Sequence, residues 1–256
     1  MGRMIDRTGE IGYNNFGSKM VIVKYRKRKD IDVYFEEYDW TAENVNYGNF
    51  KKGKIACPYE PRVYRVGYIG EGKYRMVDEN GKHSKCYEVW VKMLQRCFDE
   101  KYQIKRPTYK GCEVCAGWLN FQVFAKWFYN NYYEIEGERI HLDKDILIKG
   151  NNIYSPETCV FVPQRINSLF VKRNKVRGEY PIGVSYHKMS KKFVVHCNAY
   201  DNKKINLGYY STSKEAFNVY KEFKEQYIKE VADEYKDKIP TKLYDAMYNY
   251  KVEITD

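Results

Sequence analysis

The stretch HLDKDILIKGNNIYSPETCVFVPQRIN, residues 141–167, sets His141, Asp143 and Asp145 at alternate positions, ahead of a polar turn, an apolar run and a helix-borne Asn167. Side chains alternate across an extended strand, so the histidine and both aspartates project from one face. A histidine can take a proton from water, and carboxylates can hold a divalent cation that stabilises charge on a phosphate. That chemistry is metal-dependent cleavage of a phosphodiester. The same residues also fit a plainer reading, in which Asp143, Lys144 and Asp145 form a solvated strand end, Asn151 and Asn152 form a turn, and Asn167 sits idle or caps.

The elements that would hold these groups read as strand, turn, strand, helix. RIHLDKDILI alternates, KGNNIYSPE is rich in turn formers, TCVFV is a short second strand, and PQRINSLFV is a helix with Pro163 near its start. Upstream, CYEVWVKMLQRCF puts Trp90, Met93, Leu94, Cys97 and Phe98 on one helical face. NFQVFAKWFYNN does the same with Phe121, Phe124, Ala125 and Phe128, behind Asn120 as N-cap. Both faces read as core. Residues 1–80 show strand runs (KMVIVKYR, DIDVYFEEY) separated by turns (NNFG, NYGNFKKGK, GEGKY) and no helical period. The cationic run from Lys24 to Lys29 reads either as a solvated strand end or as a phosphate-contacting patch.

Beyond KRNKVRG, three strands and one long helix are expected. The helix opens on Thr212 and Glu215, a capping-box pair, and Ala216, Tyr220, Phe223, Tyr227 and Val231 line its apolar stripe. Alternation assigns Val184, Tyr186, Phe193, Val195, Cys197, Ile205, Leu207 and Tyr209 to the inner face of the sheet. Ser185, His187, Val194, His196, Asn198, Lys204 and Asn206 fall on the outer face. Nine cations stand between residues 172 and 204: Lys172, Arg173, Lys175, Arg177, Lys188, Lys191, Lys192, Lys203 and Lys204. Only Glu179 and Asp201 oppose them, so this segment carries seven of the chain's eleven net positive charges. Cations gathered on a short sheet and its leading linker suit a duplex, because neutralising phosphates releases condensed counterions. A sheet of two or three strands fits the major groove.

IGVSYHKMSKKFVVHCNAYDNKKINLGYYSTSKEAFNVY resembles the Apetala2-type (integrase-like) DNA-binding domain at Gly183-Val184, Lys192-Phe193, Leu207-Gly208-Tyr209, Thr212 and Glu215-Ala216. The resemblance implies a three-stranded sheet lying in the major groove. Ser185, His187 and Asn198 stand where that family has several arginines, so backbone and shape contacts are expected ahead of base-specific ones. The opening stretch is similar to the HNH-like endonuclease segment that accompanies such domains in phage-borne and mobile-element proteins. Leu142-Asp143-Lys144-Asp145, Asn152, Tyr154-Ser155-Pro156-Glu157 and Asn167 carry that likeness. It implies His141 as base, Asp143 and Asn167 as ligands of Mg²⁺ or Mn²⁺, Asp145 as ligand or orienter, and Asn152 in the supporting turn. Family members set the histidine directly beside the acid; here Leu142 and Lys144 occupy those places.

The expected architecture is α+β: a small N-terminal β module (1–80), a helical segment with a ββα hairpin (81–178), a three-stranded antiparallel sheet on one helix (179–238) and a tail (239–256). The expected function is sequence-biased binding of double-stranded DNA with metal-dependent endonuclease activity. A catalytically degenerate DNA-binding or regulatory protein of phage or mobile-element origin is the alternative, and a host-protein partner is a third. A homodimer is compatible with either DNA reading. No apolar run approaches the roughly 20 residues that span a bilayer, and no signal peptide is seen, so a cytoplasm is expected, and the phage resemblance implies that of a bacterial host. Seven scattered cysteines read as reduced thiols, and CEVC at Cys112–Cys115 lacks a second pair, so structural zinc is not expected. Phosphate-binding loops, dinucleotide fingerprints and hydrolase triads are missing from the sequence.

Overall fold

A computed structural model of the chain describes residues 5–171, 179–198 and 204–254. The fold is mixed α+β, as expected, and falls into two compact units, Met1–Asn130 and Asn131–Asp256. This division differs from the expected boundaries at 80, 178 and 238: the helical segment joins the N-terminal sheet, and the ββα stretch joins the C-terminal sheet and helix. Among the described residues no helix is long and apolar enough to cross a membrane.

In the first unit, β1 (Ile11–Tyr13), β2 (Lys19–Lys27), β3 (Asp30–Phe35) and β4 (Trp40–Val45) form an antiparallel meander. Met20, Ile22, Ile31, Val33, Phe35 and Ala42 alternate onto one face and bury against Phe50, Ile55 and Cys57. NYGNFKKGK, expected as a turn, contains the short helix α1 (Tyr47–Lys51), because the Asn46 side chain accepts from Gly48 N–H and caps it. Of the run at 24–29, Arg26 is occupied by Asp30, Asp32 and Asn44, whereas Lys24, Lys27, Arg28 and Lys29 are exposed. The unit continues through α2 (Lys85–Phe98), α3 (Glu100–Lys105), the two-residue strand β5 (Glu113–Val114) and α4 (Phe121–Asn131). Trp90, Met93, Leu94 and Cys97 are buried as expected, but Phe98, at the end of α2, is exposed. Phe121, Phe124, Ala125 and Phe128 are buried, and Asn120 caps α4 by accepting from Gln122 N–H.

In the second unit, β6 (Ile140–Asp143), β8 (Val160–Pro163) and α5 (Gln164–Leu169) follow in the expected order, but the segment expected as a turn contains a two-residue strand, β7 (Ile153–Tyr154). β9 (Val184–His187), β10 (Lys192–Asn198) and β11 (Lys204–Tyr210) form an antiparallel sheet with β10 in the centre. It packs on α6 (Ser213–Glu234), which carries the expected capping box of Thr212 and Glu215. Residues 239–256, read from sequence as a tail, contain α7 (Thr241–Tyr248). Leu243 and Met247 of α7 share a core with Ile228, Val231 and Ala232 of α6 and with Val160, Val162, Ile166 and Leu169 of the β8–α5 segment. A second core lies under the sheet, where Val195 and Cys197 meet Ala216, Phe217 and Tyr220 of α6. One helix therefore serves both the hairpin and the sheet.

Candidate nucleic-acid interface and acidic site

Cross-strand pairing decides which side chains look outward. Lys192 pairs with His187, Val194 with Ser185 and Tyr209, His196 with Asn206, and Asn198 with Lys204. Opposed residues of an antiparallel ladder share a face, so these lie together on the side away from Val195, Cys197 and α6. Ser185, His187, Lys188, Lys191, Lys192, Asn198, Lys204 and Asn206 are exposed there or in the adjoining loop, and His196 is half-buried. Burial and the nearby charge of Lys204 lower the pKa of His196 and so favour its neutral form. Lys172, Arg173, Lys175 and Arg177, expected to contact DNA, lie outside the described residues, as does Lys203.

Sequence alternation misplaced one aromatic. The register slips between Val195 and His196, and Gly208 adopts φ +111° opposite that slip. The extra residue turns Tyr209 to the outer face, beside Ser185 and Val194, and sends Tyr210 inward against the core. Tyr209 is 47% exposed, and its ring meets that of His187. The glycine in LGYY was the available signal, since glycine within a strand marks bulges.

The acidic site is built by the end of β6. His141 pairs with Val162 and Asp143 with Val160, so His141 and Asp143 share the hairpin face whose valines pack with Ile166 and Leu169 of α5. Asp145 is not on that strand face. The Asp143 carboxylate accepts from Asp145 N–H at 2.9 Å and Ile146 N–H at 2.8 Å, which ends the strand and swings Asp145 into solvent. Burial, together with repulsion from the Asp145 carboxylate, pushes the Asp143 carboxyl up to about 6. Two carboxylates thus crowd one strand end. His141 Nε2 is shielded from solvent.

Asn167 is half-buried on α5, and Asn152 is exposed. The turn is clamped instead by Asn151, whose amide donates to Lys144 C=O at 2.6 Å and Ile153 C=O at 2.7 Å. Lys144, buried, returns a hydrogen bond to Asn151 C=O at 2.8 Å. The plainer sequence reading names Asn151 and Asn152 together as turn formers, and the structure gives the clamp to Asn151.

Among the described residues no group of three or more His, Cys, Asp or Glu side chains gathers to hold a metal ion. The Asp143–Asp145 pair fits a different donor set. Mg²⁺ is commonly held by one or two carboxylates, with water and substrate phosphate completing its oxygen shell. A buried carboxyl whose ionisation is opposed by a second one would gain from a cation. No family model matches the chain, nor does any curated protein or solved structure.

Proposed function

We propose that the chain binds double-stranded DNA through the open face of its C-terminal sheet and cleaves it at the acidic hairpin with a divalent metal. The observation that carries this reading is the outward face of β9–β11, which aligns lysine, histidine, serine and asparagine side chains with no acid between Val184 and Asn198. Such a face matches a phosphate backbone and offers donors to groove edges. Asp143 and Asp145, with Asn167, would hold Mg²⁺ or Mn²⁺, which supplies stabilisation of the charge that builds on phosphate and its leaving oxygen. Two backbone N–H groups fix the Asp143 carboxylate, and the Asn151 clamp fixes the turn that carries Asp145. His141 would take the proton of the attacking water.

Supercoiled plasmid incubated with the protein and Mg²⁺ or Mn²⁺ tests the reaction. Nicked or linear product from wild type, lost in Asp143→Ala, is the expected result. The second reading is a DNA-binding protein that keeps the nuclease-like hairpin without cutting. The shielding of His141 Nε2 favours it, because a base must reach water. It expects duplex binding that weakens with salt, an intact plasmid, and no effect of chelator.

A further inference from the structure

We propose that Met189 is a wedge that pushes between neighbouring base pairs when the β9–β10 hairpin docks on duplex DNA, an inference that rests on the DNA-binding reading above. His187 and Lys192 close the ladder, and residues 188–191 form the loop between them. Met189 stands at this tip 90% exposed, more than any other large apolar side chain among the described residues. An unbranched apolar chain held in water at a hairpin tip gains free energy when a partner covers it.

The tip is built to hold its shape. His187 Nδ1 lies 2.8 Å from Ser190 Oγ and accepts from Ser190 N–H at 3.3 Å, so the imidazole braces the loop from within. Lys191 takes φ +52°, a left-handed conformation that costs a lysine about 1 kcal/mol. A braced tip loses little further freedom on docking, which favours insertion over a flexible loop.

Charge chooses the occupant. Lys188, Lys191 and Lys192 flank Met189 and are exposed. An apolar wedge between cations matches a base stack between phosphates, and methionine is among the side chains that unstack base steps. Three lysines around one apolar residue leave too little apolar surface to anchor the tip in a lipid bilayer.

Fluorescence anisotropy with two labelled duplexes, identical except for one central mismatch, provides the test. A mismatched step is already partly unstacked, so wild type should bind it about tenfold more tightly than the matched duplex. Met189→Ala should bind both alike, and Met189→Phe should keep the preference; thermal midpoints of all three proteins should coincide. Equal affinity of wild type for the two duplexes, or a preference that survives in Met189→Ala, overturns the wedge while leaving DNA binding intact. Wild type that binds neither duplex removes both readings. Binding to phosphatidylserine vesicles that needs Met189, without duplex binding, reassigns the tip to a membrane and also overturns the proposal.

Discussion

The rings of His187 and Tyr209 meet edge-on at the outward surface of the C-terminal sheet, with centroids 5.6 Å apart and planes inclined at 76°. Tyr186, one residue before His187, points the other way and packs edge-on against Phe193 at 5.3 Å. Both rings are similarly exposed, 42% for Tyr186 and 47% for Tyr209, so the two tyrosines separate the outer face of the sheet from the opposite one. Tyr209→Ala should weaken duplex affinity roughly tenfold, about 1.4 kcal/mol, while Tyr186→Ala should lower thermal stability and leave the affinity of the folded protein nearly unchanged. Equal losses of affinity in both variants, measured by anisotropy at one salt concentration, would remove Tyr209 from the interface.

Gly183 is where the first strand of that sheet crosses α6. Its φ is +78°, and a β-carbon there would stand 2.0 Å from the Tyr220 ring. Gly183→Ala should cost about 3 kcal/mol, combining the left-handed conformation with a clash against a buried ring. Thermal unfolding measures this, and a change below about 1 kcal/mol would show that sheet and helix are not packed this closely.

The hairpin turn offers a comparison of neighbours. Asn151→Ala removes two hydrogen bonds to backbone carbonyls and should cost about 1–2 kcal/mol. Asn152→Ala, at an exposed position, should stay within about 0.5 kcal/mol of wild type. The order of the two melting temperatures decides which asparagine holds the turn.

In the N-terminal unit, hydrogen bonds from the Arg26 guanidinium bring the Asp32 carboxyl down to about 2 from its ordinary 3.8. A carboxyl depressed by folding adds stability that is fully present above its ordinary value and disappears as pH falls through the folded one. Acid unfolding of wild type should therefore steepen between about pH 4 and pH 2. Asp32→Asn should flatten that window and lower stability at pH 7. A variant as pH-sensitive as wild type there would assign the acid dependence to other groups.

Much of the architecture was legible because it is periodic. The helical faces around Trp90 and Phe124, the capping box at Thr212 and Glu215, and the places of β6, β8 and α5 all follow from spacing, whereas the two-residue strand β7 fell in a run read as a turn. The misreadings share one physical source: a local hydrogen bond or an inserted residue interrupts the period. The Asp143 carboxylate ends β6 before Asp145, the Asn46 side chain starts a helix within a turn-like run, and the bulge at Gly208 reverses Tyr209. Residues 241–248 went unread as a helix because their apolar partners, Ile228 and Val231 among them, are distant in sequence. The acidic site was legible as a set of residue types, but desolvation of Asp143 depends on Val160, Val162 and the helices beyond, which alternation along one strand does not disclose.

The 22 residues of α6 extend about 33 Å, with Ala216, Phe217 and Tyr220 held under the sheet and Ile228, Val231 and Ala232 held against the hairpin segment. A helix packed at both ends acts as a ruler. Under the proposed function, a polymer held by the sheet would meet the carboxylates at a constant offset, counted in turns of α6 and independent of how its bases are spelled.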